Sequence, residues 1–134
     1  MARKIDLLGM GVGPILARRQ ATDPQVISSV GSSAASAFQI GGDQYFVSVT
    51  AVTAGQGAVI LPAVGGDNGA LLGDDYIINN QQGSTLEVFG PAGTTISISG
   101  AAIQSLSSGI SLTNHVSLTL YPITSSAWMG IRSA

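Results

Sequence analysis

Residues 57–98 read GAVILPAVGGDNGALLGDDYIINNQQGSTLEVFGPAGTTISI, and they decide the fold class. Their apolar runs are short, and each ends on turn chemistry. Val59, Ile60 and Leu61 meet Pro62; Tyr76, Ile77 and Ile78 meet Asn79 and Asn80; Leu86 to Phe89 meets Gly90 and Pro91; Ile96 alternates with Ile98. Short β-branched and aromatic runs punctuated by Gly, Pro, Asn and Asp have the cadence of antiparallel strands. Residues 80–84, NQQGS, are too long for a two-residue hairpin and suit a loop of three to five residues with Gly83 at positive φ.

The flanks extend this pattern. Upstream, residues 45–52 (YFVSVTAV) alternate Tyr45, Val47, Val49 and Ala51 against Phe46, Ser48, Thr50 and Val52, a period of two that predicts a strand. Residues 26–40 sustain no single helical face and read as two weak strands, with a turn at Gly41, Gly42 and Asp43. Downstream, Ile103, Leu106, Ile110 and Leu112 precede HVSLTLY, in which Val116, Leu118 and Leu120 share one face and Pro122 ends the run. Trp128 to Ile131 makes a last short strand. Eight or so strands at intervals of about 8 to 12 residues, without a long amphipathic helix, predict an all-β fold: a single antiparallel β-sandwich or barrel, jelly-roll-like, over residues 25–134.

Residues 1–24 read differently. Gly9, Gly11, Gly13 and Pro14 raise the entropic cost of any helix, neither helical nor strand periodicity holds, and Pro24 forces Asp23 out of the helical region. The expectation is an extended N-terminal arm, 1–24, joined to the β-body at residues 22–24. The arm is basic: residues 1–19 hold Arg3, Lys4, Arg18 and Arg19 against Asp6, a net +3, whereas residues 20–134 hold Arg132 against Asp23, Asp43, Asp67, Asp74, Asp75 and Glu87, a net −5.

At 134 residues the chain fits one domain, yet only 9% of it is charged, against about 25% in ordinary globular proteins. So neutral a surface points to burial against neighbours, hence to a homo-oligomer. Without a Lys/Arg run or interleaved aromatics, and with an acidic body, nucleic acid is not the expected partner; an acidic protein surface suits the arm better. Residues 5–17, IDLLGMGVGPILA, imitate the apolar core of a signal peptide, but Asp6 and Pro14 interrupt them and no small-residue cleavage site follows. No apolar run approaches membrane-spanning length. The expectation is a soluble protein made in the cytoplasm, with no membrane partner. With no cysteine, there is no disulfide framework and no thiolate chemistry.

No catalytic, cofactor-binding or metal-binding set is expected. GMGVGP spaces its glycines G-x-G-x-G and runs into Pro14, which is not a dinucleotide loop. Asp74 and Asp75 are adjacent, so on a strand they face opposite ways; turn-capping explains them better than a converging acid pair. His115, the single histidine, has no partners for a metal site or triad and reads as a strand-edge or interface residue. GGDNG, with Asp67 and Asn68, lacks the alternating ligands of a calcium loop. Trp128 reads as closing a core or an interface.

Three segments together resemble a β-domain recurrent in tailed-bacteriophage virion proteins, including head decoration (cement) and head-fibre proteins. They are G-A-V-I-L-P-A at 57–63, G-D-D-Y-I-I-N-N-Q-Q-G-S-T-L-E-V-F-G-P-A-G-T-T-I at 73–96, and the distant Trp128. The shared elements are a strand ending in Leu61-Pro62, a Gly73-Asp74 turn, a strand running into Asn and Gly, the strand Leu86-Glu87-Val88, the turn Pro91-Ala92-Gly93 and a closing aromatic strand. They cover about half the chain. The segment between Pro62 and Asp75 is longer and richer in glycine than in that pattern, and no catalytic or receptor-binding residue carries over.

The resemblance implies a non-enzymatic, usually trimeric structural protein of the virion, made in the host cytoplasm and seated on the capsid surface with the major capsid protein as partner. In that setting the arm residues Arg3, Lys4, Ile5, Leu7, Leu8, Ile15, Leu16, Arg18 and Arg19 are the expected capsid-binding set. The alternative within the same resemblance is a fibre or tail module that binds host carbohydrate or a receptor.

Overall fold

The computed structural model describes residues 25–27, 33–50, 57–66, 68–99 and 101–133. These form strands and no helix: β1 (Gln25–Ile27), β2 (Phe38–Gln39), β3 (Phe46–Val49), β4 (Gly57–Ile60), β5 (Tyr76–Asn80), β6 (Leu86–Phe89), β7 (Thr95–Ile98), β8 (Gln104–Ser105), β9 (Ile110–Leu112), β10 (Ser117–Pro122) and β11 (Ala127–Arg132). The all-β expectation holds. Each predicted strand has a counterpart; those hardest to anticipate, β2, β8 and β9, are too short to display a period.

The strands belong to two mixed sheets, one of seven strands in the order β1-β3-β5-β10-β11-β7-β8 and one of four in the order β2-β4-β6-β9. From β1 to β7 the chain changes sheet at every step. As far as β6, each strand therefore lies beside the strand two steps earlier and runs in the same direction: β1 with β3, β3 with β5, β2 with β4, and β4 with β6 are all parallel, while β7 lies parallel to β11 instead.

The expectation of antiparallel pairing throughout is corrected here. Antiparallel contact is confined to β5 with β10, β10 with β11, β6 with β9 and β7 with β8. The physical reason lies in the connections. A parallel pair needs a crossover of a dozen or more residues, and here the crossover contains a strand of the other sheet. The NQQGS segment is accordingly no hairpin loop but the passage from β5 in one sheet to β6 in the other.

Asn80 directs that passage. Its side chain is fully buried, and its amide donates to the carbonyls of Ser84 (2.9 Å), Leu112 (3.0 Å) and Thr113 (3.1 Å), while its Oδ1 accepts the Gln82 N–H (3.3 Å). Gly83 does not have positive φ; that conformation occurs at Gly65, Gly66, Gly73, Gly93 and Gly109. A side-chain amide thus does the work expected of a glycine, by holding the turn's carbonyls. The Pro91-Gly93 turn does follow its residues: Gly93 has φ of 80° and Thr94 N–H donates to the Pro91 carbonyl at 3.2 Å.

The two sheets share one apolar cluster. Val47, Ile78, Ile96, Leu118, Leu120 and Trp128 enter it from the larger sheet, and Val59, Leu86, Val88, Ile110 and Leu112 from the smaller. Each such side chain contributes roughly 1.5–3 kcal/mol on burial. Leu118 and Leu120 are buried and Val116 packs against the cluster, as the alternation of residues 115–121 requires. The sheets are also bridged at their rims, where the Arg132 guanidinium donates to the carbonyl of Ser111 on the edge strand β9 (3.2 Å).

Candidate functional site

The proposed capsid-binding residues Arg3, Lys4, Ile5, Leu7, Leu8, Ile15, Leu16, Arg18 and Arg19 lie outside the described residues. The other residues weighed for chemistry fall into two groups: a polar and aromatic knot at one end of the body, and residues that stand apart from one another.

The knot is built on the loops before β3 and β5. The Asp74 carboxylate is buried and its Oδ2 accepts from the Leu71 N–H (3.2 Å) and from the Tyr45 hydroxyl (3.2 Å). This is a turn cap, as its position suggests, with a tyrosine added. Asp75 points the other way and is exposed. The Tyr76 hydroxyl donates to the Gly42 carbonyl at 2.6 Å, and its ring packs against Tyr45 at 5.1 Å with the planes tilted by 47° and meets Trp128 edge-on at 5.7 Å. Gly42 also donates its N–H to the Asn68 carbonyl (3.1 Å), and a Cβ there would overlap the backbone carbonyls of Asn68 and Gly69. Gly42→Ala is therefore expected to push the two loops apart and cost about 1–3 kcal/mol, a drop in midpoint that thermal unfolding will read directly.

Trp128 closes the core. Its Nε1 is, among the described residues, the one buried side-chain nitrogen or oxygen without a hydrogen-bond partner. An orphaned donor costs about 1–3 kcal/mol. Burying an aromatic of about 200 Å² returns roughly 5 kcal/mol at 25 cal/mol per Å², so packing outweighs the lost bond. His115 is exposed and sits in the turn ahead of β10 with φ of 60°, not on the strand that the alternation suggested. Among the described residues no three of His, Asp and Glu gather as metal ligands would. The knot offers packing and hydrogen bonds.

A surface feature stands out more than any buried group. On the outward face of the seven-stranded sheet, β3 contributes Phe46 and Ser48, β5 contributes Ile77 and Asn79, and β10 contributes Ser117, Thr119 and Tyr121; β11 adds Met129 and Ile131, and β7 adds Thr95 and Ser97. None is charged. Register sets Phe46, Ile77, Thr119 and Ile131 side by side in one row across four strands, with Tyr121, Met129 and Ser97 in the next. Ile131 is 59% exposed, Phe46 38%, Met129 37% and Ile77 36%. A polar row lies beyond, in which the Ser117 hydroxyl donates to Asn79 Oδ1 at 3.0 Å. The described charges lie off these strand positions: Asp74 is buried in the knot, Asp43 is in a loop, exposed Asp75 stands at the margin just before β5, Glu87 is on the smaller sheet where it accepts from the Ser111 hydroxyl, and Arg132 is at the rim. These face residues were not singled out by sequence reasoning, although the absence of charge at alternate positions of four strands was visible in it.

Comparison with known proteins finds no family model that matches the chain, no curated relative and no solved structure that matches it.

Proposed function

We propose that this chain is a structural, non-enzymatic protein of a tailed-bacteriophage virion, a decoration or cement protein that binds the outer head lattice as a homo-oligomer, in the first instance a trimer, and stabilises it. In this reading the two sheets form a sandwich, and residues 1–24 form an extended arm that reaches across neighbouring copies of the major capsid protein. The observation that carries it is the separation of charge from surface. The N-terminal sequence concentrates four of the chain's five Lys and Arg residues, while the body presents a broad sheet face with no charge at all. A basic anchor attached to a neutral, strand-rich body suits repeated shallow contacts on a symmetric lattice, where many weak contacts sum.

The resemblance of residues 57–96 and Trp128 to virion β-domains supports the same reading. The fibre or tail alternative needs a cluster of exposed aromatics to stack on sugar; Trp128 and Tyr76 are both fully buried, and the aromatics left on the outward face, Phe46 and the half-buried Tyr121, lie in different rows. An enzyme needs convergent titratable groups, and the buried carboxylate of Asp74 is engaged in capping a turn.

The test is reconstitution. The purified full chain is mixed with heads of the encoding phage prepared without it, and attachment is read by co-sedimentation and by electron microscopy of the heads. Saturable binding at regular lattice positions is the expected result; failure to bind heads that accept the protein from infected-cell extract overturns the reading. Arg18→Glu with Arg19→Glu is expected to lower occupancy while the β-body stays folded by circular dichroism. Molar salt should have the same effect on the unaltered chain, because the screening length falls from about 8 Å to about 3 Å. Undiminished occupancy in both cases would assign the anchor to Ile5, Leu7, Leu8, Ile15 and Leu16 instead.

A further inference from the structure

We infer that the outward face of the seven-stranded sheet is the surface by which copies of this chain join one another. The inference deepens the homo-oligomer part of the function proposed above and does not depend on capsid attachment; because the face meets its own counterpart, the unit it forms is a two-fold pair, distinct from a trimer about a lattice axis.

The occupant follows from charge. An acidic or basic partner, whether nucleic acid, anionic membrane or the charged surface of another protein, would bury its charges against a face that offers no counter-charge, and each such burial is costly. The partner surface must be neutral, flat and partly apolar. The same face on a second copy has those properties, and when two such faces meet no charge is buried on either side. The row Phe46, Ile77, Thr119, Ile131 supplies apolar groups at both ends, and the half-buried amide and hydroxyl of Asn79 and Ser117 beside it supply groups able to bond across the contact or to hold water at its rim. Of the other strongly exposed apolar residues, Val26 lies on β1 opposite Ser48 and extends the same face to the edge of the sheet, whereas Leu72, Ile103 and Ile123 lie outside the strands and form no row.

Size sets the strength. Six strands from β1 to β7, about 4.8 Å apart, and strand lengths near 17 Å give a flat patch of roughly 400 Å² per copy. A pair of such faces falls below the 1,200–2,000 Å² or so of a stable complex. Self-association is therefore expected in the micromolar range in solution and to become complete only where other contacts hold copies side by side. The face also has to be kept from indiscriminate pairing, and the short strands β1 and β8 at the two edges of the sheet leave little open edge for strand addition.

The experiment is sedimentation velocity of the full chain over a concentration series from low to high micromolar, for the unaltered protein and for three variants. Ile77→Lys places a cation at the centre of the face; Met129→Lys does so one row away, and serves if Ile77→Lys fails to fold. Leu72→Lys makes the same change at an exposed apolar residue off the face. The expected result is a mass that rises with concentration for the unaltered chain and for Leu72→Lys, and a constant 13.5 kDa for the two face variants, with association weakened about tenfold or more and far-ultraviolet circular dichroism unchanged. If the face variants associate like the unaltered chain, the face assignment is overturned while the homo-oligomer reading stands. If Leu72→Lys dissociates the protein equally, general surface hydrophobicity is responsible and the face is again overturned. If the unaltered chain stays at monomer mass throughout, self-association itself is overturned, and capsid attachment is then judged on reconstitution alone.

Discussion

Leu118→Asp is expected to abolish folding. Leu118 is fully buried in β10, between Ile78 of β5 and Arg132 of β11 in register, and its Cδ1 lies against the backbone of Gly130. The substitution removes about 1.5–3 kcal/mol of apolar burial and places a carboxyl in a site with no polar partner, so that the total penalty is about 5 kcal/mol or more. A domain of this size has about 5–15 kcal/mol to lose. The expected outcome is recovery in the insoluble fraction on expression or, if soluble chain is obtained, a circular dichroism spectrum without the β signal. A soluble Leu118→Asp protein with a native spectrum and unfolding midpoint would show that the shared cluster is not what holds the sheets together.

The second large effect is expected at Asn80, and its sign runs against shape. Asn80→Asp preserves the outline of the side chain but replaces the amide donor with oxygen, so a carboxylate would confront the carbonyls of Ser84, Leu112 and Thr113 in a site with no solvent contact. Asn80→Ala merely deletes the amide and leaves those carbonyls unmet, at a cost of about 2–4 kcal/mol, or a fall of roughly 10 °C in midpoint for a domain of this length. Asn80→Asp is expected to cost more than Asn80→Ala, because burying an unpaired charge adds to the loss of the donor. Thermal unfolding of both variants decides it: the order Asp above Ala would mean that packing volume, not donation to three carbonyls, is what Asn80 supplies.

These two residues also mark how far the sequence could be read. Leu118 was legible because its neighbours Val116 and Leu120 repeat with a period of two, and an inward-facing row shows in that period whatever strand lies next to it. Direction of pairing did not show, since alternation within β3 or β5 is the same in a parallel or an antiparallel partner. Only the route of the chain between sheets decides it, and that route depends on where β4 and β6 pack. Residues 80–84 read as a turn with Gly83 at positive φ, but two of the four bonds that give Asn80 its role lead to carbonyls set by the fold, on Leu112 at the end of β9 and on Thr113 just after it, thirty-odd positions away.

The alternating run from His115 predicts a strand that includes the histidine, whereas the strand begins at Ser117 and the histidine takes the left-handed turn before it. The uncharged face lay in plain view as an absence, at Phe46, Ile77, Thr119 and Met129, yet an absence becomes a surface only when register puts those positions side by side.

The position of β10 and β11 has a bearing on timing. In sequence they come last among the described strands, yet in the larger sheet they occupy the middle, inserted between β5 and β7. Strands β1 to β6 can wind on one another as they emerge, but β5 keeps an open flank until β10 has paired with it, and β7 joins the larger sheet only when β11 has been synthesised and lies between it and β10. Closure of such distant pairings is slow compared with local contact, and until it happens the row that runs from Phe46 to Ile131 does not exist. A chain terminated before β10 and β11 thus lacks the assembled face altogether, so the self-association proposed above is expected only once these two strands have been made.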